Sequence, residues 1–284
     1  MLNLTVYGKT DRGLVRKTNE DAFVVADLTT GATVDGPLVR FPVGPRGVLL
    51  AVSDGMGGHQ AGEVASALAL KSLVASMADP STRPPEQVLE TAVKEANRDV
   101  WQAAHEPGQA KMGATLTAMF VEGSSIHIAE VGDSRAYLLR GGNLVQLTHD
   151  QSYVQLLVDA GAMTPEEAKQ APMKNVILQA MGQKAAVTVA LATLSLRQRD
   201  CFLICSDGLS NKVSSEEMKQ IILTAPRMDT ACDTLVALAK KNGGEDNITV
   251  IIGGVSGDLP PLVPGEDVST TIAILKEFSA PIPT

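Results

Sequence analysis

Three apolar stretches of this chain end in an aspartate beside a glycine. Residues 48–52 run into Ser53-Asp54-Gly55, residues 202–205 into Ser206-Asp207-Gly208, and residues 126–131 into Gly132-Asp133-Ser134. Two more acidic points precede apolar stretches, Asn19-Glu20-Asp21 and Glu245-Asp246-Asn247. One Asp-Gly after a strand is ordinarily a turn. In an antiparallel sheet, however, the end of one strand lies beside the start of its neighbour, so all five points can share one rim. Carboxylates gathered in this way raise each other's pKa unless a cation lies between them. The set has no Cys and no adjoining His, and hard oxygen ligands suit Mg²⁺ or Mn²⁺ rather than zinc or copper. A pair of such ions activates a bridging water and neutralises phosphate oxygens. Gly55, Gly57 and Gly58 leave room for a backbone carbonyl or a substrate. Arg16, just upstream of Glu20, offers a guanidinium fork for a phosphate.

Positioning these groups requires strands, and β-branched or alternating runs predict them at 4–7, 22–26, 48–52, 114–121, 126–131, 135–139, 187–194, 201–205 and 248–252. Glu122-Gly123-Ser124 and Arg140-Gly141-Gly142-Asn143 read as hairpins, which makes the sheet largely antiparallel. Helical spacing of Ala, Leu and Val covers 62–77, 86–105, 214–223 and 230–240, the third opened by a Ser214–Glu217 capping box. A helical flap is expected over about 150–182, where Thr164 caps a turn begun by Pro165 and Glu167. The organisation expected is a catalytic domain over 1–256 and a loosely ordered C-terminal tail over 257–284, which opens with the linker-like Asp-Leu-Pro-Pro-Leu-Val-Pro-Gly.

Composition narrows the function classes. With 284 residues, 44% hydrophobic and 20% charged, the chain is an ordinary globular protein of one large or two smaller domains. Aromatics at 3% supply few stacking platforms, and 24 basic against 32 acidic residues leave −8. Both facts disfavour nucleic-acid and anionic-membrane partners. No apolar run reaches the roughly 18 to 20 residues of a membrane helix, and the N-terminus lacks the order of a signal peptide. A cytoplasmic monomer is the expectation. The three cysteines are read as reduced and structural, and His105, His127 and His149 as structural or solvent-facing.

The ordered set Gly13-x-x-Arg16-x-x-Asn19-Glu20-Asp21-Ala22, Asp54-Gly55-Met56-Gly57-Gly58-His59, Gly113-Ala114-Thr115, Gly132-Asp133-Ser134-Arg135-Ala136-Tyr137, Ser206-Asp207-Gly208-Leu209 and Gly244-x-Asp246-Asn247-Ile248-Thr249 resembles the bacterial PPM-type, protein phosphatase 2C-like Ser/Thr phosphatases. The resemblance implies an α+β fold, a four-layer α/β/β/α sandwich of two antiparallel sheets flanked by helices, with a two-ion Mn²⁺ or Mg²⁺ centre at one end. It implies that Asp54 bridges both ions, that Asp207 and Asp246 hold one, and that Glu20 with the Gly55 carbonyl serves the other. Asp133 matches a position for a possible third ion, Asp21 supports the ligands, and Arg16 grips the phosphoryl group. The implied reaction is in-line attack on phosphoserine or phosphothreonine by a metal-held hydroxide, with phosphoproteins and Ser/Thr kinases as partners. Eukaryotic members place a His where this chain has Met56, so either His59 or a metal-bound water is left to protonate the leaving group. The flap departs from bacterial relatives, reading Ala171-Pro172-Met173-Lys174-Asn175 where His-Pro-x-Arg-Asn is common, with Gln151 in place of a common His. Two other readings stand beside this one: a non-catalytic phosphoprotein-binding relative, and a hydrolase of small phosphomonoesters.

Overall fold

The computed structural model describes residues 1–33, 39–57, 60–106, 112–263 and 265–279. Its centre is a pair of stacked sheets in which every described strand pairing is antiparallel. The first sheet has the order β10 (Asn143–Gln146), β9 (Arg135–Arg140), β12 (Cys201–Cys205), β13 (Ile248–Ser256), β1 (Asn3–Asp11) and β4 (Val39–Pro42). The second runs β14 (Ile272–Lys276), β11 (Ala190–Ser195), β8 (Ser125–Val131), β7 (Leu116–Glu122), β5 (Val48–Met56), β2 (Asp21–Asp27) and β3 (Ala32–Thr33), with short β6 (Gly113–Ala114) on the end of β5. Helices α1 (Gln60–Ala78) and α2 (Pro85–Ala104) cover the second sheet. Helices α6 (Ser215–Thr224) and α7 (Met228–Lys241) cover the first, joined to it through the single turn α5 (Asp207–Ser210). This is the expected four-layer sandwich.

Strand β5 shows why the central strands read as unbroken apolar runs. Val48, Leu50 and Val52 enter the core between the sheets, while Leu49 and Ala51 enter the core beneath α1 and α2. Both faces are buried, so the alternation of a half-exposed strand disappears. The same split in β12 sends Phe202 and Ile204 between the sheets and Leu203 and Cys205 under α7. Cys205 and Cys232 are buried and Cys201 partly so, all three as free thiols.

The flap holds α3 (Tyr153–Asp159) and α4 (Pro165–Gln170). The Thr164–Glu167 and Ser214–Glu217 capping boxes both form. The flap closes on itself where Leu178 N–H donates to Gln151 O at 2.7 Å and Tyr153 N–H donates to Val176 O at 2.8 Å. It is pinned to the framework by paired backbone bonds between Met181 and Ala114.

Two expectations need correction. The C-terminal segment is docked rather than loose: Leu259 and Val268 are buried in the inter-sheet core, and residues 272–276 form β14, the edge strand beside β11. Its apolar residues had no visible partner in sequence because that partner, β11, lies some 80 residues earlier. Residues 61–78 are by length and composition apolar enough to cross a bilayer, although no run free of charge reaches that length. In the fold this helix is apolar because Leu70, Leu73 and Met77 pack on the second sheet while Ala65 and Ala69 pack beside Val100 of α2.

Candidate metal centre

Strand alternation carries beyond the core to the end of the sandwich. Asp54 continues the inter-sheet face of Val48, Leu50 and Val52, and its register partner on β2 is Asp21. From the opposing sheet, Ser206 and Thr249 each donate a hydroxyl to Asp21 Oδ2 at 2.7 Å. One buried carboxylate thereby ties the two sheets together at their rim. Thr115, just after β6, fixes Asp54: its Oγ1 accepts Asp54 N–H at 2.9 Å, and its own N–H donates to Asp54 O at 2.8 Å. The same hydroxyl meets Ser134 Oγ at 2.8 Å, which joins Asp54 to the turn carrying Asp133.

The Arg16 loop is folded against the Asp246 loop by local chemistry. Gly13 has φ +77, a conformation that costs a side-chain-bearing residue, and a Cβ there would strike the Asp246 carbonyl. Leu14 N–H donates to Gly244 O at 2.7 Å. Asn247 closes the junction, donating Nδ2 to Arg12 O and Thr18 O at 3.0 Å each and accepting Glu20 N–H on Oδ1 at 2.8 Å. Arg16 Nη2 then donates to Asp246 Oδ2 at 2.8 Å. The Glu20 carboxyl lies over the first turn of α1, where any Cβ at Gly62 would collide with it.

The result is one cleft of about 220 Å³, lined by Arg16, Glu20, Asp54, Gly55, Asp133, Asp207 and Asp246, with Met56 and Thr115. Asn175 and Ile177 of the flap complete it. Asp21 lies behind the cleft and outside its lining. His59 lies outside the described residues. Sequence reasoning left Thr115, Ser206, Thr249 and Asn247 without roles, although each stands inside a quoted motif; their hydroxyls and amide orient the acidic set. Nothing in the one-dimensional pattern marked Asn175 and Ile177 as cleft residues. Gln151 is 2% exposed, accepts Gly132 N–H at 2.9 Å and donates to Glu130 O at 3.2 Å, so it braces the Asp133 turn.

Electrostatically the cleft is under stress. Burial, followed by the charges of Asp21, Asp207, Asp133 and Asp246, pushes the Asp54 carboxyl well above the usual carboxylate range. Asp133 is raised by burial and then by Asp207 and Asp150, and Asp207 by burial and then by Asp246. Asp21 is raised to about 7, chiefly by burial. Asp207 Oδ1 and Asp21 Oδ1 are buried without a hydrogen-bond partner. Among the described residues no three acidic, His or Cys side chains meet tightly enough to enclose an ion as they stand. Asp246 is engaged by Arg16, whereas Asp54 feels the opposing charge of Asp207 on the same cleft. An all-oxygen donor set with orphaned carboxylate oxygens fits a hard divalent ion.

The family model described as Protein phosphatase 2C matches residues 39–247. The chain belongs to the protein phosphatase 2C family. It is 37% identical over 270 residues to the serine/threonine protein phosphatase PstP of Mycobacterium tuberculosis, an alignment covering 93% of this chain and 48% of PstP. The chain therefore spans about half the length of that relative. The serine/threonine phosphatase stp of Listeria monocytogenes is 35% identical, with 86% of this chain and 93% of the relative covered. Among solved structures, the catalytic domain of PstP in complex with two manganese ions superimposes with TM-score 0.75 at 37% identity, covering 90% of this chain and all of that one. The sandwich is shared with these solved phosphatases.

Proposed function

We propose that this chain is a metal-dependent phosphoprotein phosphatase that hydrolyses phosphoserine and phosphothreonine by direct in-line attack of water. The observation carrying this reading is the convergence of Glu20, Asp54, Asp133, Asp207, Asp246 and Arg16 on one cleft with an unsatisfied buried carboxylate oxygen. Asp54, Asp207, Asp246, Glu20 and the Gly55 carbonyl would hold two Mn²⁺ or Mg²⁺ ions, and Asp133 with Asp207 a third. When bound, the ions would supply an activated water and neutralise charge on the phosphoryl oxygens.

The remaining work falls to the protein. Arg16, half exposed at the mouth and oriented by Asp246, presents its guanidinium to the phosphoryl group. Asp21, gripped by Ser206 and Thr249, holds the two sheets, and with them the acidic groups of each, in register. Asn175 and Ile177 form the flap wall that meets the polypeptide around the phosphorylated residue. Met56 cannot donate a proton, so in this reading His59 protonates the departing hydroxyl. A protein substrate is supported by the Mycobacterium tuberculosis relative, which is named a serine/threonine protein phosphatase. The reading extends to a cytoplasmic monomer opposing bacterial Ser/Thr kinases.

The test is phosphate release from a phosphothreonine peptide with Mn²⁺, with chelator, and with Asp207→Ala. Release is expected to need the metal and to fall by roughly 100-fold or more in the variant, because metal ions contribute several kcal/mol to such transition states. No release from folded, Mn²⁺-loaded protein would overturn the reading in favour of a binding module. Turnover of p-nitrophenyl phosphate without turnover of the peptide would favour the small-ester alternative.

A further inference from the structure

The mouth of the metal cleft is bordered by apolar side chains that the fold leaves in water. Leu14 and Val15, directly before Arg16, are 60% and 65% exposed, and Met173, two residues before the cleft-lining Asn175, is 41% exposed. Single exposed apolar residues are ordinary on a protein surface, but a group of them beside a ligand cleft marks a recognition surface. Both segments adjoin one corner of the chain, Gly244-Glu245. Leu14 N–H donates to Gly244 O, and the Leu14 side chain lies over Gly244, where an added Cβ would stand 3.1 Å from Leu14 Cγ. From the flap, the charge of Lys174 reaches Glu245, whose carboxyl is held below its usual range first by a hydrogen bond with Lys212. Asp246, next in the chain, lines the cleft and accepts from Arg16.

Neither segment is free to withdraw these groups. Asn247 Nδ2 clamps both ends of the Arg16 loop through Arg12 O and Thr18 O. The flap tip closes in successive turns, Lys174 N–H donating to Ala171 O at 3.1 Å and Val176 N–H to Met173 O at 3.0 Å. A backbone fixed in this way presents its side chains with little further ordering cost on binding. The ionic groups of the corner are spent on one another, Lys212 with Glu245 and Arg16 with Asp246. What the corner has left to offer a neighbouring chain is apolar area, with Lys17, exposed beside Arg16, as the competing chemistry.

We propose that Leu14, Val15 and Met173 select phosphoproteins that carry a bulky apolar residue within about three positions of the phosphorylated residue, on one side of it, a span of roughly 10 Å of extended chain. The proposal rests on the phosphatase reading above. Once a phosphoryl group is held at Arg16, the residues that flank it in the substrate have to cross the border of the cleft, and this corner is the border beside Arg16. The preference is one-sided because all three side chains stand at the same corner. Contacts to a flanking residue are made equally in the ground state and the transition state, so they lower KM and leave kcat unchanged.

The experiment measures kcat and KM for phosphate release by Mn²⁺-loaded protein from phosphothreonine peptides of Ser-Gly background. A single leucine is moved through three positions on each side of the phosphothreonine, and a parallel series carries aspartate. Leucine at one or two positions on one side is expected to lower KM at least about fivefold with kcat unchanged. The double variant Leu14→Gln with Met173→Gln, at exposed positions, should lose that gain. p-Nitrophenyl phosphate, which has no flanking chain, is run on the same preparation to normalise for the metal site. A KM that is the same across the leucine series, a leucine gain that survives in the double variant, or an aspartate series that outdoes leucine would each overturn the proposal and leave the phosphatase reading standing. Release from none of the peptides would overturn both.

Discussion

A carboxylate shut away from water becomes a stability liability unless something restores its charge, and Asp21 makes that measurable. Burial raises it from 3.8 to about 7, against the opposing hydroxyls of Thr249 and Ser206 and with help from Asp207 and Asp246. A folded-state value raised above the unfolded one gives a contribution that is full below the unfolded value and lost as pH rises through the folded value. Metal-free wild type is therefore expected to lose stability relative to Asp21→Asn between about pH 4 and pH 7, on the order of a few kcal/mol, in urea titrations. Mn²⁺ should flatten the difference by stabilising the ionised cluster. A difference that grows in the opposite direction would show that the hydroxyls outweigh burial. His59 can be judged by leaving group. His59→Gln is expected to slow a phosphothreonine peptide by about 100-fold and to spare p-nitrophenyl phosphate, whose leaving group needs no proton. Equal losses on both substrates would remove His59 from proton transfer.

At the scale of elements, each acidic residue is placed by the face its strand has already chosen. Asp54 and Asp21 look into the space between the sheets because Val52 and Phe23, two residues away, do so as well. A one-residue register slip between β2 and β5 would send Asp21 under α1 and dismantle the rim. The two capping boxes have the same chemistry in different settings. Ser214→Ala is expected to lower global stability by about 1 kcal/mol in urea, because α6 buries Met218 in the core between the first sheet and its helices. Thr164→Ala should leave the urea midpoint unchanged and speed amide exchange in residues 165–170, since α4 buries only Ala168. A global loss from Thr164→Ala would show that the flap unfolds with the framework.

For the whole molecule, the C-terminal segment is a strap locked by a buried ion pair. Arg140 and Asp200 have side chains 2% and 1% exposed. Arg140 donates to both Asp200 oxygens, at 2.8 and 2.5 Å, to Thr271 Oγ1 at 2.6 Å and to Ser195 O at 2.8 Å. One guanidinium thus binds the first sheet, the second sheet and the strap. Asp200→Ala strands that charge and is expected to cost about 3–5 kcal/mol in thermal or urea unfolding, whereas Thr271→Val should cost about 1 kcal/mol. Comparable losses would indicate that the strap, not the ion pair, carries the energy.

The central strands and the covering helices were legible from the order of residues, because a strand buried on both faces must be continuously apolar and a helix on a sheet must be amphipathic. That order also marked the acidic positions, because a carboxylate at the end of an apolar strand has few other reasons to be there. Tertiary structure alone decided what closes the rim. Asp21 is anchored by Ser206 and Thr249 from the other sheet, Asp54 by Thr115 after an intervening helix pair, and the cleft is completed by Asn175 and Ile177 of the flap. The strap was equally invisible in one dimension, since β14 finds β11 only when segments distant in sequence pack together. Periodicity reports the face on which a residue lies; the choice of the segment facing it is made by packing.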